Sequence, residues 1–275
     1  MSSTASDHRA DAPLALAVIP ARLESTRLPR KMLLQQTGTY LFAHTAASVA
    51  RCPAIARVVV ATDSEEVLEA ARASDVEARM TRADHPSGTD RVFEAARAIQ
   101  AETPERPFDV IVNVQGDEPD IDPGDLARLV AVFEDPAVSV ATLWGPIRTE
   151  EEARDSSIVK LVCDTAGDAL YFSRAPIPSR GHARAGAKDS GDARAALRRH
   201  IGVYAFRPAA LQRFCALPVG ALEASENLEQ LRWLEAGGRM RAVEATHVPH
   251  GIDTHEDYED FVRRQPSVEA NRGQD

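Results

Sequence analysis

The stretch "AVIPARLESTRLPRKML", residues 17–33, decides how this chain is interpreted. An apolar run that looks like a first buried strand stops at Pro20, and four cations follow within ten residues: Arg22, Arg27, Arg30 and Lys31. Backbone N–H groups and basic side chains in a loop at the carboxyl end of a strand form a cradle for anions. The stretch therefore favours a triphosphate-type ligand over a solvated surface loop. No GxxxxGK[ST] pattern is present, so the cradle is not a P-loop.

Composition narrows the class of protein. The 275 residues carry a formal net charge of -10, which argues mildly against nucleic acid as a partner. No apolar run reaches the ~18 residues of a membrane span, and the N-terminal residues lack the apolar core of a secretory signal. Three cysteines without a CxxC pair predict neither a disulfide framework nor a zinc site. We expect a cytoplasmic protein with no membrane partner and with disordered tails at residues 1–13 and 265–275.

Apolar β-branched runs alternate with helical patterns in the first half of the chain. The runs that predict strands span residues 14–21, 56–62, 109–116 and 137–145. Helices are expected at residues 41–51, 63–74 and 87–101, the last two beginning near Ser64 and Ser87. Units of strand, helix and strand indicate a mostly parallel sheet, which binds ligands at the carboxyl ends of its strands.

The second half of the chain has a different pattern. Residues 158–164 and 169–178 predict a hairpin, and residues 179–199 a polar surface loop. After a strand at 200–208, helices are expected at 208–217 and 225–237, a strand at 239–246 and a helix at 255–264.

Two acidic side chains are candidate metal ligands. Asp117 lies in "VNVQGDEPDID", residues 112–122, directly after a predicted buried strand. Asp253 lies in "HGIDTHED", residues 250–257, after the last predicted strand. Carboxylates in such places are typical ligands of Mg²⁺. The alternatives are an acidic turn for Asp117 and, for Asp253, a helix N-terminus capped by Thr254 with Asp257 three residues on.

Seven motifs in sequence order resemble the CMP-Kdo synthetases, bacterial cytidylyltransferases that join CTP to the sugar acid 3-deoxy-manno-octulosonate (Kdo). They are "IPARLESTRLPRK" (19–31), "TRADHPSGTDRV" (81–92), "VNVQGDEP" (112–119), "LYFSRAPIP" (170–178), "RHIGVYAFR" (199–207), "ENLEQLRWLE" (226–235) and "GIDTHED" (251–257).

The resemblance implies a fold and an organisation. The expected fold is α/β and Rossmann-like, with a central, mostly parallel mixed sheet and a small β-rich subregion for dimerisation and acceptor binding. A single domain would span residues 14–264, with its nucleotide half at about 14–145 and its acceptor and dimer half at about 146–264. The protein would be a homodimer, with strands around 169–178 and 200–207 in the dimerisation region.

The resemblance also implies residue roles, with Mg²⁺ as cofactor. The catalytic residues would be Arg22, Lys31 and Asp117, and the metal ligands Asp117 and Asp253. CTP would be bound by Ala21, Arg22, Arg27, Lys31, Arg82, His85, Ser87 and Gln115. A small anionic acceptor would be bound by Arg27, Gln115, Arg174, His200, Tyr204, Glu226 and Gln230. On the residues alone, Tyr204 could instead belong to the core, Glu226 to a charged helix face and Gln230 to the solvent-facing surface.

The chemistry is consistent with these roles, while the identity of the acceptor stays open. An acceptor oxygen would attack the α-phosphorus of CTP and pyrophosphate would leave, a reaction that depends on positioning and charge stabilisation. Three departures from the family pattern are Arg30 where glycine is common, which would add a cation beside the phosphates, "GTY" at 38–40, and the stretch after Pro178. The alternatives are a CTP:phosphonoformate cytidylyltransferase and, more remotely, an inactive nucleotide-binding homologue.

Overall fold

The computed structural model describes residues 12–23, 27–179 and 197–265. The two expected tails therefore lie almost wholly outside the described residues. So do Ser25 and Thr26 of the cation-rich loop, and residues 180–196 of the expected surface loop.

Within the described residues, nine strands form one mixed sheet. They are β1 (Ala15–Ala21), β2 (Ile55–Thr62), β3 (Ala78–Met80), β4 (Val110–Asn113), β5 (Val140–Pro146), β6 (Lys160–Cys163), β7 (Ala169–Ser173), β8 (Arg198–Phe206) and β9 (Arg241–Glu244). The main order is β3-β2-β1-β4-β8-β5-β9. Pairs among β1 to β4 are parallel, β8 runs antiparallel to β4 and β5, and β9 is parallel to β5. The hairpin of β6 and β7 joins the sheet through β8. The expected mostly parallel mixed sheet with a β-rich subregion is confirmed.

Helices cover both faces of the sheet. They are α1 (Leu41–Ala50), α2 (Glu65–Ala73), α3 (Gly88–Glu102), α4 (Pro123–Ala131), α5 (Glu150–Arg154), α6 (Pro208–Ala216), α7 (Ala221–Glu226), α8 (Gln230–Glu235) and α9 (His255–Arg264). Strand β1 is buried throughout, and its side chains alternate between two cores. Ala17 and Ile19 face the core under α1 and α4, while Leu16 and Val18 face the core under α3 and α6. None of the described helices is both long and apolar enough to cross a bilayer.

Side-chain caps begin the helices where the sequence predicts them. Ser64 accepts a hydrogen bond from the backbone of Val67, and Ser87 accepts one from the backbone of Asp90. Thr254 forms a reciprocal capping box at the start of α9. These caps fix where α2, α3 and α9 begin, and α3 and α9 begin beside the predicted site.

Four elements differ from the expectation. Strand β3 and helices α4 and α5 were not predicted. The single helix expected at 225–237 is wrong, because α7 and α8 are separate helices. Asn227 between them adopts the left-handed conformation, with φ 53°, which ends α7. The break matters for the site because Glu226 and Gln230 then belong to two different helices.

Candidate nucleotide and acceptor site

The loops that follow β1 and β4 meet at one edge of the sheet, since these neighbouring strands run parallel. Together with the segment before α9, they enclose a cavity of about 360 Å³. Its lining includes six residues predicted from the sequence: Arg22, Arg27, Lys31, Gln115, Asp117 and Asp253. Ala21 is the buried last residue of β1, directly before Arg22. The predicted phosphate and metal residues are therefore brought together, although Asp253 lies more than 130 positions beyond Asp117 in the sequence.

Lys31 is the centre of this cavity. Its ammonium donates hydrogen bonds to the carboxylate of Asp117, to Asp253 Oδ1 at 3.2 Å and to the Ile252 carbonyl at 3.2 Å. Burial alone would lower the pKa of Lys31, but the carboxylates of Asp117 and Asp253 raise it above its ordinary value. The Lys31 side chain therefore stays charged, and it bridges the carboxylates of Asp117 and Asp253.

Close backbone packing fixes the loops around Lys31. A Cβ added to Gly116 would lie 2.9 Å from Met32 Sδ and 3.3 Å from the Pro20 carbonyl, so only glycine fits there without a shift. The Thr45 hydroxyl donates to the Gly116 carbonyl at 2.9 Å. The Ile252 N–H donates to the Asp117 carbonyl at 2.9 Å, which ties the segment before α9 to the loop after β4.

The side chains of Asp117 and Asp253 suit a divalent cation. Their oxygens already converge on one cation, the Lys31 ammonium, and hard cations such as Mg²⁺ prefer oxygen ligands. Arg27 reaches the second oxygen of Asp253 at 3.0 Å, and both of these side chains are largely exposed. The residues thus fit the predicted magnesium site.

Glu118 is a neighbour of this site that the sequence did not single out. Its Oε2 is buried and has no hydrogen-bond partner among the described residues. Burial, reinforced by the charges of Asp117 and Asp253, raises the pKa of Glu118 to about 8. With that pKa the Glu118 carboxyl is mostly protonated and uncharged near pH 7, so it adds little to the negative charge of Asp117 and Asp253.

A second cluster of possible metal ligands lies elsewhere, at Asp122, Asp125 and His247. Asp125 Oδ1 accepts from the Thr246 N–H at 2.8 Å, Oδ2 accepts from the His247 N–H at 3.1 Å, and Arg128 pairs with the same carboxylate. Its oxygens are occupied by the chain's own donors, so this cluster is structural.

Three residues predicted to contact the nucleotide lie outside the Lys31 cavity. Arg82 and His85 line a separate cavity of about 570 Å³ beside α3 and α6. Arg82 pairs with Asp84 at 2.8 Å, and His85 pairs with Glu94. Ser87 caps α3, and its neighbour Gly88 does line the Lys31 cavity.

Arg30 does not reach the cavity either. It adopts φ 58°, and its guanidinium turns to Glu66 on α2, with a 3.3 Å bond from Nη1. Both side chains are more than half exposed. In the structure Arg30 therefore points to α2 rather than into the Lys31 cavity.

Strand β8 places two of the predicted acceptor residues in ring contact. The rings of His200 and Tyr204 lie 5.3 Å apart, and Phe172 meets the His200 ring at 5.0 Å. His200 Nε2 lies 2.8 Å from the Thr142 hydroxyl. Burial lowers the pKa of His200 to about 3 and raises the pKa of Tyr204 far above its ordinary value. Both rings are neutral hydrogen-bonding groups at physiological pH.

Arg174 and Glu226 form a closed arrangement at the end of β7. Glu226 Oε1 accepts from the Ser173 hydroxyl at 2.5 Å, and Oε2 accepts from the Arg174 N–H at 2.9 Å. Burial alone would raise the pKa of Glu226, but these donors hold it below its ordinary value. Arg174 in turn donates to the carbonyls of Glu226 and Ser156, each at 3.0 Å. Each oxygen of Glu226 therefore already accepts one hydrogen bond from the chain, and its predicted part in binding the acceptor stays a prediction.

Gln230 is buried at 3% exposure, so the solvent-facing alternative is wrong. Its Nε2 has no hydrogen-bond partner among the described residues. A buried unpaired amide is costly in a dry core, so it indicates a place where a ligand or water binds.

Comparisons with known proteins decide the family. Residues 16–244 match a family model described as cytidylyltransferase. The chain belongs to this family. It is 46% identical over 237 residues to 3-deoxy-manno-octulosonate cytidylyltransferase of Oleidesulfovibrio alaskensis, covering 86% of this chain and 90% of the relative. The enzyme of that name from Rhodopseudomonas palustris is 44% identical over 252 residues, covering 90% and 96% of the two chains.

Two solved structures resemble this chain in fold. A CMP:2-keto-3-deoxy-manno-octonic acid synthetase complexed with CTP superposes with a TM-score of 0.81 at 38% identity, covering 94% of this chain and 99% of that one. A 4-diphosphocytidyl-2C-methyl-D-erythritol synthase of Anaerococcus prevotii superposes with a TM-score of 0.60 at 13% identity, which shows the shared fold alone. The resemblance to the CMP-Kdo synthetases and the nucleotidyltransferase fold are both confirmed.

Proposed function

We propose that this protein transfers CMP from CTP to 3-deoxy-manno-octulosonate, releases pyrophosphate and depends on Mg²⁺. The observation that carries the proposal is the cavity in which Lys31, Asp117 and Asp253 converge. The relatives support the choice of acceptor, because proteins named for this reaction match about nine-tenths of the chain. They favour Kdo over phosphonoformate.

The basic residues of the cavity would bind the triphosphate. Arg22, Arg27 and Lys31 line it from one loop, so their charges would offset the charge that builds on departing pyrophosphate. Two carboxylates hold the Lys31 ammonium in the structure, and it would turn to the phosphates when CTP binds. Positioning and charge, rather than covalent chemistry, would supply the rate enhancement.

The acids of the cavity would hold the metal. Asp117 and Asp253 would bind Mg²⁺, which when bound supplies positive charge at the α-phosphate and lowers the pKa of the attacking hydroxyl. Freed from Lys31, both carboxylates would turn their oxygens to the metal. Glu118, the buried neighbour of Asp117, would be mostly protonated near pH 7 and would add little charge at this point.

The acceptor would lie beyond Gln115, near the residues predicted from the resemblance. Gln230 offers a buried unpaired amide, His200 a neutral ring, and Arg174 a guanidinium with which to hold a carboxylate. Because the reaction consumes CTP, we place it in the cytoplasm.

A homodimer remains part of the proposal. Strand β8 pairs with β5 along one edge; along the other it pairs with β6 at Arg198 and Arg199 and with β4 at Tyr204 to Phe206, which leaves only a short gap for a partner strand. Strand β7 pairs only with β6 among the described strands, and its Leu170 is 61% exposed. We therefore place the contact on the β7 side. Light scattering tests it, and a concentration-independent monomer would contradict it.

The proposed reaction is tested by pyrophosphate release. Wild-type protein is incubated with CTP and Mg²⁺, and with Kdo, phosphonoformate or no acid. We expect pyrophosphate to be released with Kdo, but not with phosphonoformate or without an acid. Asp117→Asn, which exchanges one oxygen for nitrogen, is expected to lower the rate by about 10²-fold or more while the protein stays folded. Release of pyrophosphate with phosphonoformate but not with Kdo would make phosphonoformate the acceptor. No release with either acid would support the inactive nucleotide-binding homologue.

A further inference from the structure

Lys160, the first residue of β6, is a fully buried cation that the proposed reaction does not use. Its Nζ donates hydrogen bonds to three backbone carbonyls, those of Asp155 at 2.8 Å, Ile158 at 2.6 Å and Arg174 at 2.6 Å. Three acceptors require three N–H groups, so the side chain is an ammonium, because a neutral amine has only two. Lysine is rarely buried completely without a charged partner. Within the described part of the chain, carbonyl oxygens alone accept hydrogen bonds from this one.

The register of the hairpin places Lys160 between two segments of the predicted acceptor site. Lys160 pairs with Ser173 on β7 and with Arg199 on β8. The residue that follows each of these partners, Arg174 and His200 respectively, is one of the predicted acceptor residues. The ammonium therefore lies beside the place where the two segments come together.

Arg174 is tied to Lys160 in two ways. Its carbonyl accepts directly from the ammonium. Its guanidinium donates from Nη1 to the Ser156 carbonyl at 3.0 Å, and Ser156 lies in the turn between Asp155 and Ile158, whose carbonyls the same ammonium holds. Lys160 thus fixes both the main chain of Arg174 and the turn that orients its guanidinium. Arg174 Nη2 donates to none of the described residues, so it is left to bind a ligand.

We propose that Lys160 is a positioning residue of the acceptor site and acts through Arg174. The inference rests on the proposed function, in which Arg174 holds the carboxylate of the acceptor, and it adds a residue that does not touch the acceptor. A guanidinium binds a carboxylate through two parallel hydrogen bonds, which a small displacement of its plane would lose. The ammonium keeps that plane in place.

The test compares Lys160→Met with the matched change Arg207→Met. Methionine keeps the apolar stem of each side chain and removes the N–H donors. Arg207 also donates to three carbonyls, at 2.7, 2.8 and 3.1 Å, but it follows the last residue of β8, whereas Lys160 pairs near the first.

The KM for each substrate, kcat and the midpoint of urea unfolding are measured for both variants. For Lys160→Met we expect the KM for Kdo to rise about 10- to 100-fold, while kcat and the KM for CTP stay unchanged. Arg207→Met should leave the KM for Kdo unchanged, even where it lowers the urea midpoint as much as Lys160→Met does.

A double-mutant cycle with Arg174→Met separates positioning from a general structural role. In the Arg174→Met background, Lys160→Met should raise the KM for Kdo no further. An equal rise in both backgrounds, an equal rise in Arg207→Met, or no rise at all would overturn the inference. If Lys160→Met does not fold, Lys160→Gln, whose amide keeps two donors, gives the same comparison with a smaller rise.

Wild-type turnover is measured first, so that the two proposals can fail separately. If Kdo is turned over and only the Lys160 comparison fails, the inference is wrong and the proposed function stands. If phosphonoformate is turned over instead, the proposed acceptor is wrong, and the same variants are compared with that acid, which also carries a carboxylate. No turnover of either acid would overturn both.

Discussion

Replacing Lys31 with methionine tests the cavity, because two properties should move in opposite directions. The Lys31 ammonium bridges the carboxylates of Asp117 and Asp253. Mg²⁺ that binds without nucleotide must therefore compete with it for the same oxygens. Lys31→Met removes the competitor, and it also removes a cation that the reaction needs.

The size of the expected change in Mg²⁺ affinity follows from how exposed Lys31 and its two carboxylate partners are. The side chains of Lys31 and Asp117 are 12% and 21% exposed, so their charge-assisted hydrogen bond contributes about 1–2 kcal/mol. Asp253 is 44% exposed, and solvent screening leaves its pairing with Lys31 worth little. Since 1.4 kcal/mol is a factor of ten, affinity for Mg²⁺ without CTP should rise about 5- to 30-fold. Turnover should fall by about 10²-fold or more, because charge stabilisation of the pyrophosphate is lost.

Isothermal titration of nucleotide-free protein with Mg²⁺ measures the first effect, and pyrophosphate release with saturating substrates measures the second. Arg57→Met is the matched control. It removes one positive charge from a pair with Glu77 near the start of β2, and it should change neither the affinity for Mg²⁺ nor the turnover. If Lys31→Met binds Mg²⁺ no more tightly than wild type, the ammonium and the metal do not share these carboxylates, and the assignment of Asp117 and Asp253 fails.

Three further predictions concern single residues. Arg30→Gly should leave turnover and the midpoint of urea unfolding nearly unchanged, because relief of the left-handed backbone offsets the loss of an exposed ion pair. Gly116→Ala should lower the free energy of unfolding by about 1–3 kcal/mol, since its Cβ meets Met32 Sδ at 2.9 Å. His200 has a folded pKa of about 3, so only the unfolded state binds its proton as pH falls below about 6.5. Wild type should thus lose about 2 kcal/mol between pH 6.5 and 5 through this group, and His200→Gln should remove that part of the slope.

Local patterns in the sequence predicted the nucleotide half well. A continuous apolar run predicts strand β1, and the caps Ser64 and Ser87 mark the start of α2 and α3. Helix α4 was missed although its signals are present, namely Asp122 as cap with proline at the first helical position. The acidic stretch "DEPDID" was interpreted only as a site, which obscured the helix that follows it.

The acceptor half depended on contacts that no local pattern contains. Whether Glu226 is free is decided by Ser173, which lies 53 positions earlier in the chain. The left-handed Asn227 that separates Glu226 from Gln230 interrupts a stretch whose apolar spacing is helical. These hydrogen bonds depend on tertiary packing, so the sequence could identify the segment but not the partners of its side chains.

The product itself tests the central claim most directly. Wild-type protein, CTP, Mg²⁺ and Kdo are incubated together and followed by ³¹P NMR and mass spectrometry. The account predicts that the three CTP resonances are replaced by those of pyrophosphate and of one phosphodiester whose mass is that of CMP joined to Kdo, and that Asp117→Asn forms it about 10²-fold more slowly or worse. CTP that stays intact in the presence of Kdo, with folded protein and saturating Mg²⁺, would contradict it.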